Sequence, residues 1–494
     1  MASWQVGERG ITKVKSGSQE KRTQQLKKIA IIGGGISGLS AAYYLEKARR
    51  AGAALAWQLF EQTTRLGGIV GSEQVSGCVI ETGADSFLSE KLWAFELCRE
   101  LGLEEQLIGS NDAQRKTFVL LRGKLALLPE GLQFIVPTSL ESVARSELFS
   151  EETRRIIADE VKFQPRKSNG DESVAAFVAR HFGHEVVERL ADPMLAGVYG
   201  GRAANLSMRT IMPRFVQMEE QHGSLIRALQ ASTGKGQSSH SIFTTLKNGM
   251  QQLLDAMIAR LDAAAMHTQC TITDVRRAEQ WKLTGKLRGA DFSDDFDAII
   301  LATPAHAAAR LLQGSCPELA QELEKIAYTS SLIVTLAFPK KELQQQGSLP
   351  EGFGFLVPAE EKSSLLACTF VGNKFNYRVA SDLVVVRGFL GGARNEAALA
   401  LSNPDAIALV RREFSEILGI NAEPAFTRVF RWPHSMPQYE VGHLERVARI
   451  EALRARAAEL YVIGNAYRGV GVPDCIREGR DTAEKIKAAA DLHR

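Results

Sequence analysis

The chain has 494 residues, of which 45% are hydrophobic and 24% charged, as in ordinary globular proteins with a large buried core. Sixty Lys and Arg residues against 57 Asp and Glu give a formal net charge of +3, so the composition offers no argument for nucleic-acid binding. No apolar run reaches about 18 residues, so no transmembrane helix is predicted. The length predicts two or three domains of about 150 residues each.

The cysteines indicate a reducing compartment. They are Cys78, Cys98, Cys270, Cys316, Cys368 and Cys475, and no two of them form a C-x-x-C pair. We therefore predict neither a zinc site nor a disulfide framework, and no other metal site. Residues 1–27 are polar and lack the apolar centre of a signal peptide, which favours a mobile tail and a cytoplasmic protein.

The first predicted elements form one strand–turn–helix–strand unit. Residues 28–33 are a short apolar run rich in isoleucine, which is typical of a strand buried on both faces. A glycine turn follows, then a helix over 37–45 and a second strand over 55–61. This order predicts a βαβ unit with a parallel sheet.

Further along the chain, helical and strand-like patterns alternate in blocks. The predicted elements are a helical stretch at 85–108, a hairpin at 117–128 turning at 122–124, a helical block at 138–222, a loop at 234–239, a helix at 250–261, strands at 271–275, 281–287, 296–302, 332–338, 382–390 and 460–464, and a last helix from about Asp474. Together they predict one nucleotide domain assembled from separated segments, with the inserts on the substrate side.

The turn at residues 33–38, Gly-Gly-Gly-Ile-Ser-Gly, fits the dinucleotide motif G-x-G-x-x-G. Gly33 permits the tight turn, Gly35 lets the backbone approach a pyrophosphate, and Gly38 lets helix and strand pack closely. Ile36 and Ser37 open the helix, whose N-terminus offers free N–H groups to phosphates. The alternative is a glycine-rich turn in another α/β fold, which the surrounding strand, helix and acid disfavour.

The segment after the second strand distinguishes FAD from NAD. Glu61 lies 23 residues after Gly38, close to the expected spacing of about 20 for an acid that binds ribose hydroxyls. Gln62 follows it, and residues 61–68 then read E-x-x-x-R-x-G-G. Arg65 could neutralise phosphate while Gly67 and Gly68 allow close backbone approach. This octapeptide resembles the flavin amine oxidase and phytoene desaturase superfamily, in which it contacts the FAD pyrophosphate.

The C-terminal part of the chain supplies a second predicted cofactor contact. Gly464 and Asn465 follow a strand, and Gly471 and Val472 open the last helix. The dipole of that helix could stabilise a reduced flavin. An ordinary helix capped by Asp474 is the alternative, and both can hold together.

A narrower resemblance rests on segments spread from about residue 29 to 485. Residues 464–476 closely resemble the protoporphyrinogen oxidase family, and segments 81–87, 193–201, 248–253, 352–358 and 432–443 match it in the same order. The resemblance implies a combined α/β and α+β fold: a Rossmann-type, p-hydroxybenzoate hydroxylase-like FAD domain, a β-sheet substrate domain and a helical domain that faces a membrane. The implied boundaries are 28–108, 240–305 and 455–494 for the FAD domain, 109–125, 223–239 and 306–454 for the substrate domain, and 126–222 for the helical domain.

The activity implied by the resemblance is the six-electron oxidation of protoporphyrinogen IX to protoporphyrin IX in haem biosynthesis. Flavin N5 would accept hydride, and molecular oxygen would reoxidise the flavin to give hydrogen peroxide. No side-chain base is assigned. Oxidation of coproporphyrinogen III is the nearest alternative, followed by amine oxidation or carotenoid desaturation and by a non-catalytic flavin or porphyrin binder. Peripheral membrane contact and a homodimer are further expectations, and nucleic acid is not an expected partner.

The resemblance also assigns substrate residues. Phe370 matches the family's aromatic residue that sandwiches the substrate, and Leu332, Phe353 and Leu356 are weaker candidates for the same wall, each of which could instead be plain core packing. Gly197 is expected in a loop over the active site, where its missing side chain would leave room.

Two further assignments depart from or extend the family pattern. Plant members of the family carry a carboxylate-binding arginine where this chain has Thr117, so Arg115 or Lys116 would have to substitute. Ile272 or Val275 is expected at the adenine, and Trp432 on the cofactor side.

Overall fold

The computed structural model describes residues 26–168, 170–232, 241–346 and 349–492. The predicted loop at 234–239 and nearly all of the predicted tail at 1–27 lie outside these ranges. Lys27 already belongs to the first strand, where its Nζ pairs with Glu459 at 2.8 Å.

A five-stranded parallel sheet is the centre of the part of the chain that is predicted to bind a nucleotide. Its strands, in spatial order, are Met266–His267, Leu55–Phe60, Lys27–Ile32, Ala298–Leu301 and Leu460–Val462. Ile29 and Ile31 are fully buried on one face and Ala30 on the other, which explains the continuous apolar run in the sequence. The predicted βαβ unit is present.

Each face of this sheet is covered by its own layer. The first layer contains the helices Ile36–Arg50, Gln251–Ile258 and Val472–Leu492. The second contains the antiparallel strands Cys270–Arg277, Trp281–Leu287 and Ala290–Phe296 and the helices Ala305–Leu312, Pro317–Glu324 and His443–Ala455. The carboxyl edge of the parallel sheet is left open between the layers, which is where ligands bind in such sheets.

A seven-stranded sheet forms the second large unit. Its strands, in spatial order, are Phe426–Pro437, Tyr328–Pro339, Leu383–Gly391, Ala367–Phe370, Gly354–Leu356, Thr117–Leu121 and Lys124–Leu127. The helix Asn403–Leu418 packs on one face. The other face is turned toward a large cavity. Two short helices, Lys340–Gln346 and Val371–Lys374, extend from its strands.

The predicted helical block is confirmed. It contains the helices Leu140–Arg145, Glu151–Asp159, Val174–Phe182, His184–Val186, Asp192–Tyr199, Met208–Ile211, Pro213–His222 and Leu225–Ser232, a π turn at Val187–Ala191, and the short strands Leu132–Gln133 and Val136–Pro137. Ser139, Ser150, Ser173 and Ser207 cap four of these helices through their side chains. The block has its own apolar core around Phe177 and Phe182.

The prediction of one helical stretch over 85–108 was wrong in part. Only Trp93–Glu100 is α-helical, while Phe87–Leu88 and Leu107–Gly109 are strands that pair with Phe243–Leu246. A strand more than 130 residues away supplies those hydrogen bonds, so tertiary pairing overrides the local pattern. The strands Ser72–Val75 and Cys78–Glu81 form a separate hairpin. Within the described part of the chain, no helix combines the length and apolar character needed to span a bilayer.

Candidate cofactor and substrate cavity

One cavity of about 3200 Å³ is lined by the open edge of the parallel sheet, the seven-stranded sheet and the helical block. Its volume is several times the usual size of a small-molecule site, which is enough for a dinucleotide and a second large ligand together.

The glycine turn forms one end of the cavity. Gly33, Gly35, Ile36 and Ser37 line it, and Gly33 has a φ of +107°, which favours glycine. A Cβ on Gly35 would have no atom within 4 Å, so this residue presents bare backbone to open space. Gly38 does not line the cavity. A Cβ there would lie 2.0 Å from the Gly33 carbonyl oxygen, so its role is close helix–strand packing.

Glu61 fixes the shape of this turn. Its carboxylate accepts hydrogen bonds from the backbone N–H of Gly34 at 2.9 Å and of Thr63 at 2.8 Å. Both Glu61 and Gln62 line the cavity next to the second strand. The carboxylate is thus oriented by two backbone donors, and its binding of ribose hydroxyls stays a prediction.

Arg65 braces the adjoining loop. Its Nη1 donates to the carbonyl oxygens of Val70 at 2.9 Å and Leu66 at 3.1 Å, and its Nη2 donates to that of Gly68. Arg65 also lines the cavity, so its neutralisation of a phosphate stays a prediction. The braced loop brings Gly67 to the turn, where its N–H donates to Gly34 O at 2.7 Å.

The C-terminal wall is held by two residues that the motifs did not assign. The Tyr439 hydroxyl donates to Asn465 O at 2.6 Å and accepts from Gly469 N at 2.9 Å, so it joins both loops. The Glu478 carboxylate accepts from Gly464 N at 2.9 Å, and burial raises its pKa to about 7. A polar residue on the buried face of the last helix is the sequence signal that could have indicated Glu478.

The predicted residues of this wall line the cavity: Gly464, Asn465, Gly471 and Val472. The last helix begins at Val472, as expected. Asp474 is buried and pairs with Lys91 Nζ at 2.6 Å, so its carboxylate is committed to a cation.

The residues predicted to contact the adenine and the cofactor differ in whether they line the cavity. Ile272 lines the cavity, whereas Val275 is fully buried in the core, so of the two only Ile272 is accessible from the cavity and its contact with the adenine stays a prediction. Trp432 also lines the cavity, and its indole N–H donates to Thr82 O at 2.7 Å.

Several predicted substrate residues do face the cavity: Phe353, Leu356, Gly197, Arg115, Lys116 and Thr117. A Cβ on Gly197 would lie 3.5 Å from Ala367 Cβ and 3.6 Å from Leu356 Cδ2, an ordinary contact distance. The expectation that Gly197 lies in a loop was wrong, because it lies within the helix Asp192–Tyr199. This glycine is close to the sheet without being sterically required there.

The assignment of Phe370 and Leu332 to the substrate wall was wrong. Both are buried in the core beneath the helix Asn403–Leu418, and the Phe370 ring lies 6.2 Å from that of Phe355. Successive strand residues point to opposite faces, so the neighbours Thr369 and Ile333 line the cavity instead.

Positive charge predominates on the cavity wall. Eleven lysine and arginine residues and six acidic residues line it, an excess of five positive charges where the whole chain has an excess of three. Arg115, Arg214 and Arg310 are exposed and have no acidic partner within ion-pair distance among the described residues. The arrangement suits ligands with several negative charges.

The comparisons agree with a flavin site. Residues 36–487 match the family model described as flavin containing amine oxidoreductase. The chain belongs to this family. Since the glycine turn leaves bare backbone at Gly35 and an acid, Glu61, lies beside it on the cavity wall, the residues present fit FAD, and the protein is an FAD-dependent oxidoreductase.

Named relatives cover almost the whole chain. A coproporphyrinogen III oxidase from Bacillus subtilis is 33% identical over 92% of this chain and 96% of its own length. A protoporphyrinogen oxidase from Bos taurus is 28% identical over 93% and 98%. The crystal structure of a candidate protoporphyrinogen oxidase from Exiguobacterium sp. 255-15 superposes with a TM-score of 0.83 at 29% identity, covering 94% and 99% of the two chains.

Proposed function

We propose that this protein oxidises a porphyrinogen to the porphyrin in haem biosynthesis and that coproporphyrinogen III is preferred over protoporphyrinogen IX. The observation that carries the preference is the presence of two exposed arginines on the cavity wall, Arg115 and Arg214, that have no acidic partner within ion-pair distance among the described residues. Unpaired cations favour the substrate with more carboxylates, and coproporphyrinogen III has four where protoporphyrinogen IX has two. The 33% identity to the Bacillus subtilis coproporphyrinogen III oxidase favours the same choice.

The chain's own residues would bind and orient the two partners. Gly33, Gly35 and the N-terminus of the helix Ile36–Arg50 would receive the pyrophosphate, and Glu61 the ribose. Tyr439 and Glu478 would fix the loops at Asn465 and Gly464 on the opposite side of the cofactor site. When bound, FAD supplies the two-electron oxidation chemistry, with molecular oxygen as the terminal acceptor.

The apolar part of the wall would hold the macrocycle. Phe353, Leu356 and Ile333 line the cavity on the seven-stranded sheet, and Gly197 lies opposite Leu356 on the helical block. Arg115 and Lys116 precede the strand Thr117–Leu121 and would bind substrate carboxylates in place of the arginine that Thr117 replaces. The role of these residues is positioning, and no side chain is assigned as proton acceptor.

Anaerobic mixing tests the reaction. The holoenzyme should lose the visible absorbance of oxidised flavin when either porphyrinogen is added, and should form the fluorescent porphyrin once air is admitted. Comparison of kcat/KM for the two porphyrinogens should favour coproporphyrinogen III by roughly tenfold, about 1.4 kcal/mol. Flavin that neither porphyrinogen reduces, but that an amine or a carotenoid precursor does reduce, would contradict the proposal.

We also propose the division into a FAD domain, a substrate domain and a helical domain that touches a membrane surface. The membrane contact is supported by the exposed apolar side chains Leu127, Phe134 and Val198, because exposed apolar surface favours contact with lipid. All three also line the cavity. Flotation with lipid vesicles should recover the protein, and Phe134→Ser should weaken that recovery.

A further inference from the structure

Five charged side chains meet where the hairpin Ser72–Glu81 and the segment after it contact the seven-stranded sheet. This junction cluster consists of Glu81, Asp85, Lys374, Arg378 and Arg387. Arg378 Nη1 lies 2.5 Å from Glu81 Oε1, and Lys374 Nζ lies 3.0 Å from both oxygens of Asp85. Arg387 Nη2 donates to the carbonyl oxygens of Gly83 at 2.9 Å and Glu81 at 3.2 Å.

The junction cluster has one more cation than acid. Glu81, Arg378 and Arg387 are 4% exposed or less, so solvent screens their charges weakly. The acids have few oxygen lone pairs left, since Glu81 also accepts from Ser72 Oγ and Met250 N and Asp85 from Ser86 Oγ. Arg387 Nη1 lies 3.6 Å from Asp85 Oδ2, an acid that Lys374 also contacts, and burial lowers the pKa of the Arg387 guanidinium despite this neighbour.

A small hole lies inside this cluster. It encloses about 10 Å³, close to the minimum for one water-sized ligand, and all five cluster residues line it. The Nε atoms of Arg378 and Arg387 are buried and have no hydrogen-bond partner among the described residues. The rest of the lining is mainly apolar, with Val79, Val371 and Phe375 around the hole.

We propose that this hole binds one small monovalent anion, with chloride as its occupant in ordinary buffers. The hole is lined by two arginines whose buried Nε–H groups lack a partner among the described residues, and the cluster around it carries an unbalanced positive charge. A water molecule could accept from both donors but would leave the charge uncompensated, which is costly in a buried site. The site does not depend on which porphyrinogen the enzyme oxidises.

The bound anion would hold two parts of the molecule together. Glu81 and Asp85 belong to the hairpin Ser72–Glu81 and the segment after it. Lys374 and Arg378 follow the strand Ala367–Phe370, and Arg387 lies in the strand Leu383–Gly391 of the same sheet. Asp85, Lys374 and Arg387 also line the main cavity. Occupancy would therefore stabilise the cavity wall next to Gly83.

Bromide diffraction tests the site directly. Crystals of the holoenzyme grown with bromide in place of chloride should show an anomalous peak inside the hole, within about 3.5 Å of the Nε atoms of Arg378 and Arg387. Ordinary water density there, without anomalous signal at the bromine edge, would overturn the proposal.

Thermal unfolding of the holoenzyme gives an independent measurement. Chloride should raise the Tm by about 2 °C or more over bulky gluconate at equal ionic strength, because binding to the folded state alone stabilises it. Arg387→Met and Val371→Ile, which remove the excess charge or fill the hole, should abolish this difference whatever their own Tm. Arg411→Gln, at the surface pair with Glu423, is the control and should keep it. An equal chloride effect in all four proteins would overturn the proposal.

Discussion

A Cβ on Gly38 would lie 2.0 Å from the carbonyl oxygen of Gly33, which is backbone and cannot move aside. A Cβ on Gly35 would meet nothing within 4 Å, and the φ of Gly35 is an ordinary −72°. We therefore expect Gly38→Ala to lower the free energy of unfolding by about 3 kcal/mol, since overpacking distorts the turn. Gly35→Ala should leave the apo-protein's stability within about 1 kcal/mol of the parent.

Substitutions at Gly35 and Gly38 should differ in their effects on folding and on cofactor binding. Gly35→Ala should weaken FAD binding at least tenfold, about 1.4 kcal/mol, because its methyl group would occupy the space of the pyrophosphate. Denaturant unfolding of the apo-proteins and titration with FAD measure the two effects. Equal FAD affinity in Gly35→Ala and the parent would place the pyrophosphate elsewhere.

Thr369 and Phe370 are neighbours that point to opposite faces of one strand. Thr369→Phe should raise KM for the porphyrinogen about tenfold with little loss of stability, because the larger ring would enter the cavity. Phe370→Leu should cost about 1–3 kcal/mol of unfolding free energy while KM stays unchanged, because that ring packs in the core. Steady-state kinetics and denaturant unfolding measure the two effects. The reverse result would return Phe370 to the substrate wall.

Some features of the fold and site can be predicted from the sequence, and others depend on packing between distant elements. The parallel sheet and its glycine turn were predictable, because Ile29 to Gly38 combine a buried strand, a tight turn and a helix start in one local stretch. The face of Phe370 was not, because an apolar strand reads alike on both sides and only the packing of the helix Asn403–Leu418 assigns its core face. The contact of Glu478 with Gly464 depends on how the last helix packs against the helix Ile36–Arg50, which no local pattern encodes.

Arg214 is the cation of the helical block that should contribute most to substrate choice. It lines the cavity, is exposed and has no acidic partner within ion-pair distance among the described residues. Arg214→Gln should lower kcat/KM for coproporphyrinogen III about tenfold and affect protoporphyrinogen IX less, since the latter has two fewer carboxylates to bind. Arg310→Gln is the matched control, because Arg310 lines the cavity beside the nucleotide-binding part and its loss should leave the substrate ratio unchanged. Equal losses for both substrates in Arg214→Gln would contradict this role.

Glu478 should make stability fall between mildly acidic and neutral pH. Burial raises its pKa from 4.5 to about 7, so the folded protein retains a proton that the unfolded chain has lost. Its contribution is complete below pH 4.5 and is lost as the pH rises through 7, at most about 3 kcal/mol. Glu478→Gln keeps an oxygen acceptor for Gly464 N and should remove this loss. Parallel slopes of unfolding free energy against pH from 5 to 8 in the parent and Glu478→Gln would show that the carboxyl group titrates normally.

His181 should also make the stability of the helical block fall as the pH rises, here because a buried cation loses its proton. Its Nδ1 lies 2.9 Å from Glu160 Oε1 and its Nε2 3.3 Å from Glu219 Oε1, and burial alone would lower its pKa. The two carboxylates outweigh burial and raise the pKa of His181 above 6.5. The stabilisation is therefore complete below pH 6.5 and is lost as the pH rises through the raised value.

Loss of the proton from His181 should loosen the helices that this network joins. The Glu160 carboxylate also accepts from Ser224 Oγ and Leu225 N, so it fixes the start of the helix Leu225–Ser232. Amide hydrogen exchange, corrected for its intrinsic rate, should therefore accelerate in Val174–Phe182 and Leu225–Ser232 at alkaline pH, before the parallel sheet opens. His181→Gln should show the fast exchange at every pH, because a neutral amide cannot hold both carboxylates. His222→Gln is the control, since His222 is exposed at the end of its helix. Exchange in the parent that stays equally slow from pH 6 to 9 would mean that the imidazole does not titrate in this range.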